Sequence, residues 1–215
     1  MHHVHRPSSS TVPVLAGASA LLVAGGVTLP LVEPGPLSVQ MMLHLGLMNI
    51  IAPVIAVLLR RRFDASTAIL PAGLAQMVAL WAWHAPIIQQ LAASSGLAQL
   101  ALIAVLGSTA ILFWSAVIAA GDWRALAALL LTGKLACLLG ALMVFAPRDL
   151  YELPGLALSL CATGPSTIAD QHLAGLLMIT ACPLSYLVTG VALAARLLGR
   201  LDDNPRSDDA TARAR

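Results

Sequence analysis

The sequence predicts an all-α fold, a polytopic membrane bundle of about six transmembrane helices. Three observations carry that expectation. Hydrophobic residues make up 59% of the 215 residues and charged residues only 10%, whereas soluble domains carry about 25% charged residues. Six stretches, 13–32, 38–59, 66–85, 97–119, 124–146 and 170–199, are long and apolar, and a helix needs roughly 20 such residues to cross a bilayer. Alternating short strands with polar turns, the signature of a membrane barrel, are missing. In lipid the backbone must satisfy its own hydrogen bonds, which leaves helices.

The stretches follow one another with little between them. A polar N-terminal tail, 1–12, precedes a helical membrane domain, 13–200, and a polar tail, 201–215, expected to be disordered, ends the chain. The first stretch has Arg6 before it and Ala18-Ser19-Ala20 within it, as a signal peptide would, but its apolar run continues through Leu29. That length favours a retained helix. A Pro/Gly turn at 33–37 leads to the second helix, and Arg60-Arg61-Arg62 begins the next turn. Pro86 stops the third helix. Gly121-Asp122 separates the fourth and fifth, and a long loop, 147–169, precedes the sixth. Small residues at four-residue spacing, such as Ala136 and Gly140, suit close helix packing in lipid.

Orientation follows from the arginines. Arg6, Arg60 to Arg62, Arg124 and Arg196 onward fall on one side of six alternating helices, and Arg148 falls on the other. The positive side is cytoplasmic, so both termini face in, and the protein is expected to be multi-pass in a bacterial inner membrane. The arginines lack interleaved aromatics, so no nucleic-acid partner is expected; the lipid bilayer is the partner that composition implies. Cys137, Cys161 and Cys182 have no CxxC spacing and read as packing residues. His2, His3 and His5 lie in the polar head, on the opposite side from the remaining histidines.

Chemistry is concentrated at one depth. His44, His84 and His172 lie in apolar stretches at their outer ends, with Asp170 two residues before the last. Ionisable groups inside the membrane are functional candidates by default. Met41, His44 and Met48 fall at i, i+3 and i+7, on one helical face. Imidazole and thioether together form a soft ligand set suited to Cu(I), whereas methionine alone also fills gaps between helices. His84 sits beside Trp81 and Trp83, which equally describes an aromatic belt. Asp170 suits a helix N-terminus as well as a ligand role. Metal candidates are therefore His44, His84, His172, Asp170, Met41 and Met48, with copper as the metal. Lys134, the only lysine, lies mid-helix and is expected to face the bundle interior, since a bare ammonium in lipid costs at least about 2.5–3.5 kcal/mol. No nucleophile elbow, phosphate loop or HExxH motif is present, so an enzyme is not expected.

Several segments resemble the CtaG family of polytopic membrane proteins that assemble cytochrome c oxidase. They are 38–53 (SVQMMLHLGLMNIIAP), 83–86 (WHAP), Phe113-Trp114 and, most specifically, 170–178 (DQHLAGLLM). The resemblance covers about 38–199 and implies a helical membrane protein that matures haem–copper oxidases, plausibly by handling copper on the outer side. Oxidase subunits and periplasmic copper chaperones are the partners it implies. His44, His84 and Asp170 match the family's pattern. Members commonly carry further histidines where this chain has Gln40, Gln99 and Ile103, and glutamine where it has His172. The expected function is cytochrome c oxidase assembly with binding or presentation of copper at the periplasmic face. The alternatives are a transporter for copper or another small solute, with Lys134 and the arginines as its polar path, and a metal-free scaffold.

Overall fold

A computed structural model describes residues 34–59, 68–155 and 165–213, with side chains as far as Leu201. The chain divides into two compact units, Met1–Pro34 and Gly35–Arg215. The helix expected at 13–32, the basic turn at 60–62 and Cys161 lie outside the described residues.

The described residues are helical, without strands. Helix α1 spans Pro36–Leu59, α2 Ile69–Trp83, α3 Pro86–Ser94, α4 Gly96–Ala120, α5 Trp123–Phe145 and α6 Ile168–Arg213. Four segments, Pro36–Leu59, Gly96–Ala120, Trp123–Phe145 and Ile168–Leu201, are long and apolar enough to cross a membrane. Even Trp123–Phe145, with 23 residues, is about 35 Å long at 1.5 Å per residue, more than the roughly 30 Å of hydrocarbon. Helix α2 is a shorter apolar helix of 15 residues. The outward-facing surface is apolar: Phe145 is 82% exposed, Leu70 and Leu97 79% each, and Leu58 75%. Water would not tolerate that surface, but acyl chains do. This is a multi-pass membrane protein.

Local signals explain the helix limits. Pro36 opens α1 at the first-turn position proline tolerates. Asp122 caps α5, accepting from the backbone N–H groups of Arg124 (3.0 Å) and Ala125 (3.2 Å). Gly121 ends α4 at φ +55°, a conformation that favours glycine. With only Gly121 and Asp122 between them, α4 and α5 run antiparallel.

Inside α1, residues Leu47–Ile51 form a π-turn. Ala52 N–H bonds to the Leu47 carbonyl across the widened turn, and Pro53 has no N–H to give. The Met48 carbonyl is thus left for a partner outside its own helix. The Trp114 indole N–H of α4 donates to it at 2.9 Å, fastening the two helices at mid-depth.

Helices α5 and α6 make the closest packing. A Cβ on Gly140 would meet the Gly175 carbonyl at 3.0 Å, and one on Gly175 would meet the Gly140 carbonyl at 2.9 Å. The two glycines let the backbones touch, as small residues do between membrane helices.

One expectation is corrected. Lys134 is exposed on the outside of α5 and does not face the bundle interior. The amphipathic logic of α5 explains why: Ala136, Leu139, Gly140 and Met143 are buried, and Lys134 falls on the opposite face. Helix α6 is described as far as Arg213.

Candidate functional site: two histidines beside an apolar cavity

His44 of α1 and His84, which ends α2, are brought together. Their rings stand edge to face with centroids 5.4 Å apart, and both are buried. The two are 40 residues apart in sequence; α1 and α2 both pack on α4, which brings the two rings together.

Hydrogen bonding divides their ring nitrogens. His84 Nδ1–H donates to the Leu80 carbonyl at 2.7 Å, which fixes the tautomer and leaves Nε2 as an acceptor without a partner. Histidines that bind metal commonly donate their other N–H in this way. Both ring nitrogens of His44 are buried without partners. The backbone around His84 is firmly held. Tyr151 donates its hydroxyl hydrogen to the His84 carbonyl at 3.1 Å, and the Gln89 amide of α3 donates to the Trp83 carbonyl. Helix α3 and the loop after α5 therefore take up the carbonyls that a helix end leaves open. Tyr151 is itself buried; that burial, together with the charge of Asp149, pushes its hydroxyl up to about 12.

His44 also lines a cavity of about 350 Å³. Its polar lining comes from Gln40, His44, Trp83 and Gln99, and leucine and isoleucine side chains from α1 and α4, including Ile103, close the rest. The side-chain oxygen and nitrogen of Gln40 and the indole N–H of Trp83 are buried without partners. A largely apolar pocket with a few converging polar groups is the usual form of a small-ligand site.

The other expected ligands sit elsewhere. Met41 and Met48 are buried in the core, but neither lines the cavity. The Met48 sulfur instead accepts from the Gln76 amide at 3.7 Å. At the same depth Trp114 stacks on Tyr186, with centroids 5.3 Å apart. Asp170 caps α1 from across the bundle. Its Oδ2 accepts from Leu37 N–H and its Oδ1 from Ser38 N–H, both at 2.9 Å. A Cβ on Gly35 would run into the Asp170 carboxyl group, so this contact needs glycine. His172 is half-buried with an unpartnered Nε2. Among the described residues no three of histidine, cysteine, aspartate and glutamate form a group that could hold a metal. His172 and Asp170 therefore do not join His44 and His84.

Sequence reasoning gave no role to Gln171 or Tyr151. Gln171 is fully buried; its oxygen accepts from Leu150 N–H at 2.7 Å, and its amide donates to the Met143 and Arg148 carbonyls at 3.1 and 3.3 Å. Its signal was a glutamine inside an apolar stretch, as for Gln40 and Gln99.

The whole membrane-spanning part of the chain agrees with one family. The model for the cytochrome c oxidase caa3 assembly factor (Caa3_CtaG) matches residues 2–200. The protein belongs to that family. Comparison with curated proteins and with solved structures finds no match. Family membership gives the cavity a context: Gln40, Gln99 and Ile103, where the resemblance sets histidines, line it together with His44. Two pairs of positions, at least 55 residues apart in sequence, converge on one volume.

Proposed function

We propose that this cytochrome c oxidase assembly factor binds copper as cargo, as Cu(I), between His44 and His84 and presents it to an oxidase subunit or to a periplasmic copper chaperone. One observation carries the reading: two buried imidazoles lie in ring contact with three unpartnered nitrogens between them, and one tautomer is already fixed by the Leu80 carbonyl. Two neutral nitrogens suit a soft, low-coordinate ion. The surrounding leucines exclude water and the harder ions that would keep their hydration shells. The residues present thus fit Cu(I) better than an ion that demands four to six ligands.

Orientation follows from the arginines. With the arginine-rich ends in the cytoplasm, the end of the bundle holding His44, His84 and the loop around Tyr151 faces the periplasm of a bacterial inner membrane. The function needs no catalytic group: the chain holds an ion and hands it on.

The test is metal stoichiometry in protein purified from copper-supplied cells under reducing conditions. Wild type is expected to retain about one copper per chain, and the His44→Ala, His84→Ala double variant to lose most of it at unchanged protein level. Oxidase maturation should fall in parallel, and His172→Gln should leave retention nearly as in wild type. Equal copper in wild type and the double variant would sink the reading.

A metal-free scaffold is the second reading. It is favoured by Gln40, Gln99 and Ile103 standing where the resemblance sets histidines. The transporter reading loses its polar path, because Lys134 faces outward.

A further inference from the structure

Helix α5 carries a stripe exposed among the described residues. Ala127, Leu131, Lys134, Leu138, Leu142 and Phe145 are all exposed. They are spaced three or four residues apart, which places them on one narrow face. Leu131 is 60% exposed, Leu138 and Leu142 51% each, and Phe145 82%. Lys134 sits at the centre of this face, eleven residues from Trp123 and eleven from Phe145. At 1.5 Å per residue that is about 16 Å from either helix end, farther than a lysine can snorkel to water.

Among the described residues the ammonium has no acid to meet. Among the ten acidic residues, Asp122 caps the start of α5 and Asp170 opens α6. The others lie between or beyond the apolar stretches. A second copy would bring the same lysine and no mid-depth carboxylate. A charge placed in hydrocarbon at this depth calls for a counter-charge, and the surface around it has the heptad-like spacing of a helix-packing seam.

We propose that this α5 face docks a transmembrane helix of a different membrane protein, one that carries a carboxylate at mid-depth opposite Lys134. The leucines supply the packing surface and the ion pair fixes register and partner choice. In lipid a leucine surface alone selects poorly, because acyl chains compete equally for it. The proposal is independent of copper binding.

The experiment is photo-cross-linking in native membranes, with benzoylphenylalanine in place of Leu138 in the full chain and a second probe in place of Leu70 on α2 as control. The Leu138 probe is expected to give one discrete product whose captured peptide is a membrane helix containing a mid-span aspartate or glutamate. Lys134→Leu should lower the yield about tenfold, Lys134→Arg should keep most of it, and Lys134→Glu should restore it only with a partner whose acid is changed to lysine. The Leu70 probe should show no dependence on Lys134. Unchanged yield in Lys134→Leu would overturn the proposal. So would a product containing a second copy of this chain, a captured helix without an acid, or no product. Because Lys134 faces outward, Lys134→Leu should accumulate normally; loss of accumulation would place the lysine's partner inside the chain and also defeat the proposal.

Discussion

Around Asp170, Gln171 and Asp149, every side-chain oxygen and amide nitrogen has a partner. Asp170 takes the two N–H groups of α1, and Gln171 ties α6 to the end of α5. Asp149 takes Tyr151 N–H, Glu152 N–H and the Ser166 hydroxyl. Around Gln40, His44 and Trp83 the reverse holds, with both polar atoms of Gln40, both nitrogens of His44 and the Trp83 indole N–H left without partners. Asp170 and Gln171 are buried, as Gln40, His44 and Trp83 are. A buried polar group without a partner costs about 1–3 kcal/mol, whereas a completed bond contributes about 0.5–1.5 kcal/mol. The first region is therefore architecture. The second carries a cost that architecture does not explain, and a bound ligand would offset it.

The sharpest way to break this comparison is Asp170→Ala. Both Leu37 and Ser38 lose their acceptor in a buried setting, so stability should fall by about 2–4 kcal/mol, read as a lower thermal unfolding midpoint in detergent and lower accumulation. Copper per folded chain should stay as in wild type. A stable Asp170→Ala protein that had lost its copper would make Asp170 a ligand and erase the distinction.

Gln40→His tests the other region. It adds a second imidazole to the cavity lining beside His44, and copper retention should rise about tenfold, equivalent to about 1.4 kcal/mol, with little change in unfolding midpoint. Unchanged retention under competition with a Cu(I) chelator would separate the cavity from the metal site.

The smallest effect is expected from Tyr151→Phe, which removes the hydroxyl that holds the His84 carbonyl and should cost about 1 kcal/mol. It also carries a pH signature. The folded-state value near 12 lies above the ordinary value of about 10 for an exposed tyrosine. The neutral hydroxyl is thus favoured by folding. Its contribution is full below pH 10 and is lost as pH rises toward 12. Unfolding midpoints at pH 9 and 11 should fall more for wild type than for Tyr151→Phe; an equal fall would remove Tyr151 from the account.

Much of this was legible in the sequence. Helix positions followed from the apolar stretches, because a bilayer forces about 20 apolar residues per crossing. The stop at Pro86 and the break at Gly121-Asp122 are local chemistry and were readable as such. His44 and His84 stood out because imidazole is rare in hydrocarbon. Lys134 was misjudged for a plain reason: its cost predicted an inward side chain, but rotation of α5 is set by Ala136, Gly140 and Met143 packing inward.

The sequence by itself determined the solvent and which residue types could hold a soft metal, because hydropathy and ligand chemistry are properties of single residues and short windows. Only the tertiary structure decided which of those residues meet. It separated Asp170, which caps α1, from His44, and it set His44 against His84. It also gathered Gln40, Gln99 and Ile103 around one cavity. The physical reason is that helix rotation and the π-turn at Leu47–Ile51 are fixed by glycine contacts, a proline without an N–H and one indole hydrogen bond between distant helices. No single stretch of sequence contains both partners of those contacts.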